Sequence, residues 1–298
     1  MMRSPPRSPC RLPLLLLGLL LGPLLGPLLL PLTAAANDTA FGGLASRPYP
    51  IRSETVEMVS EQVTLKLVGT DRWEVHCRFV FRNATDKPTS LRMGFPFAKN
   101  DGEGDIAVPR GLELPREGRP LVWRFSATVR GKPVTTRLRP LDRKAERALG
   151  TSWAYIWRVR LAAKETIAVE NRYLLGVTET AGSFLTEVSY LLRTGAKWRH
   201  GRIGHSRLVV TADRPLLPCT GSALKDTLLG RTFDRSDLLE GVDLPARPAG
   251  FKVIYDKQRG RAGGATRIEW SLRDFTPKQD LSACIVPAAM HVDWLEVE

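Results

Sequence analysis

Arginine alternates with apolar residues at several points along this chain, and these arginines are candidates for an anion-binding surface. The residues concerned are Arg78, Arg124, Arg130, Arg158 and Arg160. In a β-strand such alternation buries one set of side chains and exposes the other. Guanidinium groups hold phosphate and carboxylate through paired hydrogen bonds. If the strands are neighbours in one sheet, these arginines form a cationic, anion-binding face. An ordinary solvated outer face is the alternative interpretation.

A short acidic segment carries the ligand types of a calcium site. Asp101, Glu103 and Asp105 stand at alternate positions, and Ca²⁺ prefers oxygen ligands of this kind. The segment departs from the EF-hand loop, because Ile106 stands where the turn glycine belongs and Leu112 where the bidentate glutamate belongs. These three carboxylates are the calcium candidates, and a solvated hairpin tip explains them equally well. We expect no other metal site and no cofactor.

The chain lacks the residue patterns of common enzymes. His76 and Cys77 are adjacent, but successive strand residues point to opposite faces, so they do not form a base and nucleophile pair. No Gly-x-Ser-x-Gly motif, phosphate-binding glycine loop or paired-cysteine metal motif occurs. We therefore expect no catalytic residues and a protein that is not an enzyme, with a hydrolase as the third hypothesis behind two binding roles.

The elements that would position these residues are mostly strands. Alternate large apolar residues in the segment from Trp73 to Phe97 predict two strands joined by a polar turn. A second such run spans Leu121, Trp123, Phe125, Ala127 and Val129. One helix is predicted, with Asp142 as its N-cap and Gly150 closing its C-terminus. Many short strands with one short helix predict an all-β protein built from β-sandwiches.

The first 36 residues have the order of a secretory signal peptide. Three arginines precede a long apolar run, and Ala34–Ala36 follows it. Pro23, Pro27 and Pro31 favour cleavage after Ala36 over an uncleaved anchor, because proline interrupts a membrane helix. The expected organisation is a signal peptide at 1–36, a β-sandwich at 37–180 and a second one at 181–298. The expected location is the periplasm or the extracellular space.

The net charge of the chain indicates which kind of partner it binds. The formal net charge of +13 favours anionic partners, of which we expect an anionic envelope lipid or polymer. The alternative is assembly with another exported protein through an outer face or a free strand edge. We expect no nucleic-acid partner.

Cys219 and Cys284 are the candidate disulfide, since an exported chain meets an oxidising compartment.

Several short motifs resemble a family of exported bacterial proteins of unknown function. The motifs extend over most of the chain after the leader and are structural in kind. They are Asn37–Ala40, Gly42–Leu44, Glu57-Met58, Asn83 with Asp86-Lys87, Phe95–Phe97, Tyr190–Trp198 and Trp270–Pro277. The resemblance implies a fold and an export route, and it implies no reaction.

The first half is also similar in pattern to the vault/inter-alpha-trypsin domain, which is a β-sandwich. The similarity lies in the Phe95–Phe97 ending, the Val129–Lys132 turn and the Glu165–Tyr173 segment. That domain usually precedes a von Willebrand A domain with an Asp-x-Ser-x-Ser metal motif. The motif is absent from this sequence, so metal-dependent adhesion is not implied. Together these observations predict two Ig-like or vault-like β-sandwich domains.

Overall fold

In the part of the chain that the structure describes, β-strands are the main secondary structure. The computed structural model describes residues 34–36, 38–45, 47–100, 105–179, 186–218, 251–255, 265–277 and 280–285. The strands of this part are β1 (Ala34–Ala36), β2 (Thr39–Leu44), β3 (Arg47–Ile51), β4 (Val56–Val68), β5 (Arg72–Asn83), β6 (Thr89–Phe97), β7 (Asp105–Ala107), β8 (Trp123–Val129), β9 (Lys132–Pro133), β10 (Arg137–Pro140), β11 (Trp153–Leu161), β12 (Thr166–Glu179), β13 (Thr186–Leu191), β14 (Ile203–Pro218), β15 (Phe251–Tyr255), β16 (Ala265–Phe275) and β17 (Leu281–Ile285). The helix α1 spans Arg143–Leu149, and 3₁₀ turns lie at Arg193–Lys197 and Arg199–Gly201. The all-β prediction is confirmed.

The strands form two sheets that pack face to face. The first sheet has the order β1-β13-β17-β14-β4-β5-β12-β8-β9, with β7 paired to β12 and the β15–β16 hairpin paired to β14. The second sheet has the order β10-β11-β6-β2-β3. Aromatic rings fill the space between them. Phe125 of the first sheet stacks on Tyr155 of the second with ring centroids 4.2 Å apart, and Phe79 contacts Phe95 at 6.3 Å. This arrangement is a β-sandwich.

Strand β5 lies near the middle of the first sheet and follows the predicted period of two. Its alternate residues from Trp73 to Phe81 are at most 3% exposed. Asn83 ends the strand, and its side-chain amide donates to the carbonyl oxygens of Lys87 and Ala162, each at 2.7 Å. The predicted strand and polar turn are therefore confirmed, and the turn is fixed by one buried amide.

Helix α1 forms where it was predicted. The Asp142 carboxylate accepts a hydrogen bond from the Ala145 amide at 2.7 Å, and Gly150 has a φ of 67°, a conformation that glycine adopts without strain. Ala145 and Leu149 bury themselves against Phe41 and Ala154. The helix thus covers part of the outer face of the second sheet.

The first sheet includes strands from both sides of residue 180. Strand β4 pairs in parallel with β14, with Ser60 opposite His205, and β12 meets β13 at Glu179 and Thr186. The division into domains at 37–180 and 181–298 remains a prediction, and the hydrogen-bonded sheet continues across it.

The predicted leader lies largely outside the described residues. Its last three residues, Ala34–Ala36, form β1 and pair in parallel with β13. The signal peptide, its cleavage and the exported location remain predictions. Within the described part of the chain, no helix has the length and apolar composition needed to cross a bilayer.

Candidate anion-binding groove

A groove on the outer face of the first sheet collects cationic side chains, and we call it the first-sheet groove. Its volume is about 510 Å³. Of the described residues, five basic ones line it, together with Glu74, His76 and a few uncharged residues. The basic residues are Lys66, Arg72, Arg110, Arg124 and Arg172.

The register of three strands, β4, β5 and β12, explains how most of these residues meet. One row across the sheet runs from Thr64 through His76 to Arg172. The next row runs from Lys66 through Glu74 to Leu174. Directly opposed residues share a face, so both rows present their side chains outward, away from the aromatic core.

A β-bulge brings Arg124 to this groove. Ser126 pairs with Arg172 and Trp123 with Leu174, so Arg124 and Phe125 together lie opposite Tyr173. Arg124 has a φ of 53°, in the left-handed region that costs a residue with a side chain about 1–2 kcal/mol. Bulges of this kind redirect side chains and are common next to functional sites.

The same bulge changes the orientation of Trp123, which the sequence pattern placed on the buried face with Phe125. Because it pairs with the outward-facing Leu174, Trp123 lies on the outer face. It is buried there by the segment that follows β7, and its indole N–H donates to the Glu113 carbonyl at 2.8 Å. The predicted face for Trp123 is therefore wrong, because the extra residue shifts the alternation by one position. The segment between β7 and β8 that covers Trp123, which we call the covering segment, also carries Arg110, whose backbone amide donates to the Asp71 carboxylate at 2.6 Å.

The groove has more positive than negative groups. Arg72 lies 3.6 Å from both the Asp71 and the Glu74 carboxylates, and Arg172 lies 3.9 Å from Glu170. Within the described part of the chain, Lys66, Arg110 and Arg124 form no ion pair. Three cations are thus available to an anionic ligand.

The structure separates the predicted anion-binding arginines instead of placing them on one face. Arg124 lines the first-sheet groove. Arg78 lies on the same sheet face but outside the groove, 3.9 Å from Glu170. Arg158 and Arg160 lie on β11 in the second sheet, and their outward faces point the other way.

Arg130 has a structural role that accounts for its position. With a φ of 54°, it precedes Gly131, whose φ is 71°, at the two-residue turn between β8 and β9. Its guanidinium donates to Glu165 at 2.8 Å and to the Arg160 carbonyl at 2.7 Å. The condition that all five arginines lie in neighbouring strands of one sheet is therefore not met.

Four groove residues were not singled out from the sequence. Arg72 and Arg172 follow the same alternation as the predicted arginines, so the pattern could have included them. Lys66 also alternates with buried residues of β4. Arg110 comes from an irregular segment, and no local pattern predicts that it faces the sheet.

The other candidate sites are placed as follows. Asp101 and Glu103 lie outside the described residues, and Asp105 begins β7, so the calcium hypothesis remains a prediction. Cys284 is buried in β17, while Cys219 lies outside the described residues, and their pairing also remains a prediction. The part of the chain that the structure describes contains no group of three or more metal-binding side chains.

Cys77 and His76 lie on opposite faces of β5, as the strand geometry predicts. Cys77 is fully buried, and burial, together with the negative charges of Asp38 and Glu61, raises the pKa of its thiol well above the usual range. His76 faces outward, with its Nε2 3.3 Å from the Glu170 carboxylate. The two side chains therefore do not interact.

Two carboxyl groups are buried near Cys77, which the sequence did not indicate. Asp38 accepts a hydrogen bond from the Asn171 amide at 2.8 Å. Burial raises the pKa of Asp38 well above its usual range, the Asn171 hydrogen bond opposes this, and Glu61 raises it further. Glu61 accepts a hydrogen bond from the Ser206 hydroxyl and one from the Tyr190 hydroxyl at 3.5 Å. This cluster is fully enclosed, and we assign it to the core.

A solved structure of a bacterial protein shares the fold. A protein provisionally named nutrient binding, from Legionella pneumophila subsp. pneumophila, is similar with a TM-score of 0.64 and 24% identity, over 84% of this chain and 70% of that one. An M1 zinc metallopeptidase from Deinococcus radiodurans gives a TM-score of 0.39 and 9% identity, over 78% of this chain and 43% of that one. A provisionally named protease from Parabacteroides distasonis gives 0.36 and 10%, over 79% and 41%. The Legionella likeness shows the fold alone, and the two weaker ones support no conclusion.

The sequence comparisons agree with the expected family resemblance in its general form. No curated protein sequence matches the chain. Residues 36–147 match DUF4424, a domain of unknown function.

Proposed function

We propose that this protein is an exported, non-enzymatic binding module of the bacterial envelope, which holds anionic groups in the first-sheet groove. One observation carries the proposal: the backbone of Arg124 is strained at a bulge, and its side chain enters a groove with four other cations. Strain of about 1–3 kcal/mol is retained where it serves a purpose, and binding is a common one.

The chemistry of the groove favours phosphate-bearing ligands. Arginine forks match the oxygen pairs of phosphate and carboxylate, and the groove is open to solvent along the sheet. An anionic lipid headgroup or a polymer of the envelope fits such a surface. Export, on which the envelope setting depends, is supported by the leader pattern and by the family resemblance.

The binding role does not depend on the structural relatives. The name of the Legionella protein also refers to binding, but that likeness concerns the fold. The vault/inter-alpha-trypsin similarity remains a prediction and adds no ligand. The non-enzymatic part of the proposal is supported by the inert setting of Cys77, the nucleophile candidate, whose thiol is buried with a raised pKa.

Vesicle binding tests the proposal. The purified protein is mixed with phosphatidylglycerol or phosphatidylcholine vesicles and sedimented. We expect binding to the anionic vesicles only, and a loss of about fivefold in affinity for Arg124→Ala, since one basic residue at an anionic surface is worth about 1 kcal/mol.

Arg143→Gln is the matched control. Arg143 is exposed on α1, away from the first sheet, and this substitution removes the same charge. Equal losses of vesicle affinity in both variants would show that binding depends on net charge alone, and would contradict binding in the first-sheet groove. Equal binding to both vesicle types would contradict the anionic partner and favour a protein partner.

A further inference from the structure

The outer face of the second sheet holds a separate arginine-lined groove. We call it the second-sheet groove, and its volume is about 490 Å³. Among the residues that the structure describes, four arginines line it, and no carboxylate does. They are Arg92, Arg137, Arg139 and Arg158.

Strand register places these arginines on one face. Arg158 of β11 lies directly opposite Arg92 of β6. On the other side of β11, Arg137 pairs with Ile156, and Arg139 pairs with Ala154. Ile156 and Ala154 are outward residues beside α1, so the four arginines converge beside that helix.

Arg92 and Arg158 place two guanidinium groups at directly opposed strand positions. Like charges at opposed strand positions destabilise a sheet unless other charges compensate them, and several exposed arginines elsewhere in the protein have an acidic neighbour, as Arg82 has Glu57 at 2.7 Å. Within the described residues, Arg137, Arg139 and Arg158 form no ion pair with a carboxylate. A bound anion would compensate the charges of these three arginines, which indicates a ligand.

We propose that the second-sheet groove binds a phosphomonoester, a phosphoryl dianion carried on an apolar body. Three terminal oxygens arranged tetrahedrally can accept from guanidinium groups on several sides, whereas a carboxylate offers two oxygens in a plane. Ile156, Val134 and Ala45 line the same groove and provide apolar surface for the body of the ligand. This site lies on the opposite side of the sandwich from the first-sheet groove, and neither proposal depends on the other.

Calorimetric titration with phenyl phosphate, inorganic phosphate and benzoate tests the assignment. We expect phenyl phosphate to bind several-fold more tightly than inorganic phosphate, and at least tenfold more tightly than benzoate. Arg158→Gln should weaken phenyl phosphate binding at least tenfold. Arg273→Gln removes the same charge from an exposed position on β16 of the first sheet, outside both grooves, and should leave it unchanged.

Three results would overturn the proposal. They are no heat of binding at millimolar phenyl phosphate, benzoate binding as tightly as phenyl phosphate, and an affinity that Arg158→Gln leaves intact. A parallel titration with phosphatidic acid vesicles distinguishes the source of the phosphomonoester. Because the first-sheet groove is itself proposed to bind anionic vesicles, this titration uses the double variant Arg110→Gln, Arg124→Ala. Vesicle binding that the addition of Arg158→Gln abolishes assigns a lipid headgroup, and vesicle binding that Arg158→Gln leaves unchanged assigns a soluble ligand.

Discussion

Arg124 combines a strained backbone with an exposed cationic side chain. Its φ of 53° suits glycine, yet the chain has arginine there, at the bulge that lines the first-sheet groove. If the guanidinium is retained for binding, replacing Arg124 by glycine should raise stability and weaken binding, because it relieves the backbone strain and removes the contact with the anion.

Arg124→Gly should therefore stabilise the protein by about 1 kcal/mol while weakening anion binding. Arg124→Ala is the control, because it removes the guanidinium but keeps the Cβ that causes the strain. Urea denaturation and vesicle binding measure the two effects. Equal stabilities of the glycine and alanine variants would contradict the strain.

Asp38 is a carboxyl group buried beside Cys77 and Asn171. Because burial raises its pKa in the folded state, its contribution to stability is full below the unfolded pKa of about 3.9 and is lost as pH rises toward the folded pKa. The loss reaches at most about 1.4 kcal/mol per pH unit in that window.

Asp38→Asn should make the protein more stable than wild type at neutral pH and reduce this pH dependence, because the amide is neutral at every pH. Thermal unfolding between pH 4 and pH 8 measures it. Asp86→Asn is the matched control, since the Asp86 side chain is 89% exposed. A variant with the same pH profile as wild type would show that Asp38 does not titrate in this way.

At the scale of elements, the differences between sequence and structure arise at bulges. Strand β5 and helix α1 have regular patterns and caps, and both were predicted. An extra residue shifts the alternation, as Arg124 does for Trp123. In β4 the register shifts at Val59, between Met58 and Ser60, which turns Glu61 into the core. A local pattern does not encode which residue is the extra one, because the partner strand decides it.

Gly176 leaves room for β7 and the Trp123 ring to pack closely against the first sheet, and substitution at this position tests that packing. A Cβ at this position would lie 2.6 Å from the Ala107 carbonyl oxygen and 3.3 Å from the Trp123 ring. Gly176→Ala should displace β7 and Trp123 and cost about 1–3 kcal/mol. It should also weaken vesicle binding, because Arg110 lies in the displaced segment. Unchanged stability by urea denaturation would contradict this packing.

At the scale of the molecule, long-range pairing determines which residues share a surface. The alternation of Arg158 was read correctly, since it is exposed between the buried Trp157 and Val159. The hypothesis that Arg158 shares a sheet with Arg78 is wrong, because β11 pairs with β6 in the second sheet, whereas β5 lies between β4 and β12 in the first. Strands that are far apart in the sequence carry no local signal of which strands they pair with. The two grooves could therefore not be distinguished before the topology was known.

The continuous first sheet bears on the predicted two-domain organisation. If β4 and β14 stabilise each other across residue 180, the protein should unfold in one calorimetric transition, with equal calorimetric and van't Hoff enthalpies. Two separate transitions would favour independent domains at 37–180 and 181–298 instead. Differential scanning calorimetry of the purified protein makes this distinction.

The salt dependence of vesicle binding tests the central claim most directly. The account predicts that affinity for phosphatidylglycerol vesicles falls steeply, on the order of tenfold, between 50 mM and 200 mM NaCl, because screening weakens exposed charge pairs. The double variant Arg110→Gln, Arg124→Ala should bind about 25-fold more weakly at low salt and show a shallower dependence. Binding that is indifferent to salt, or a double variant with the wild-type profile, would contradict an anion-binding groove.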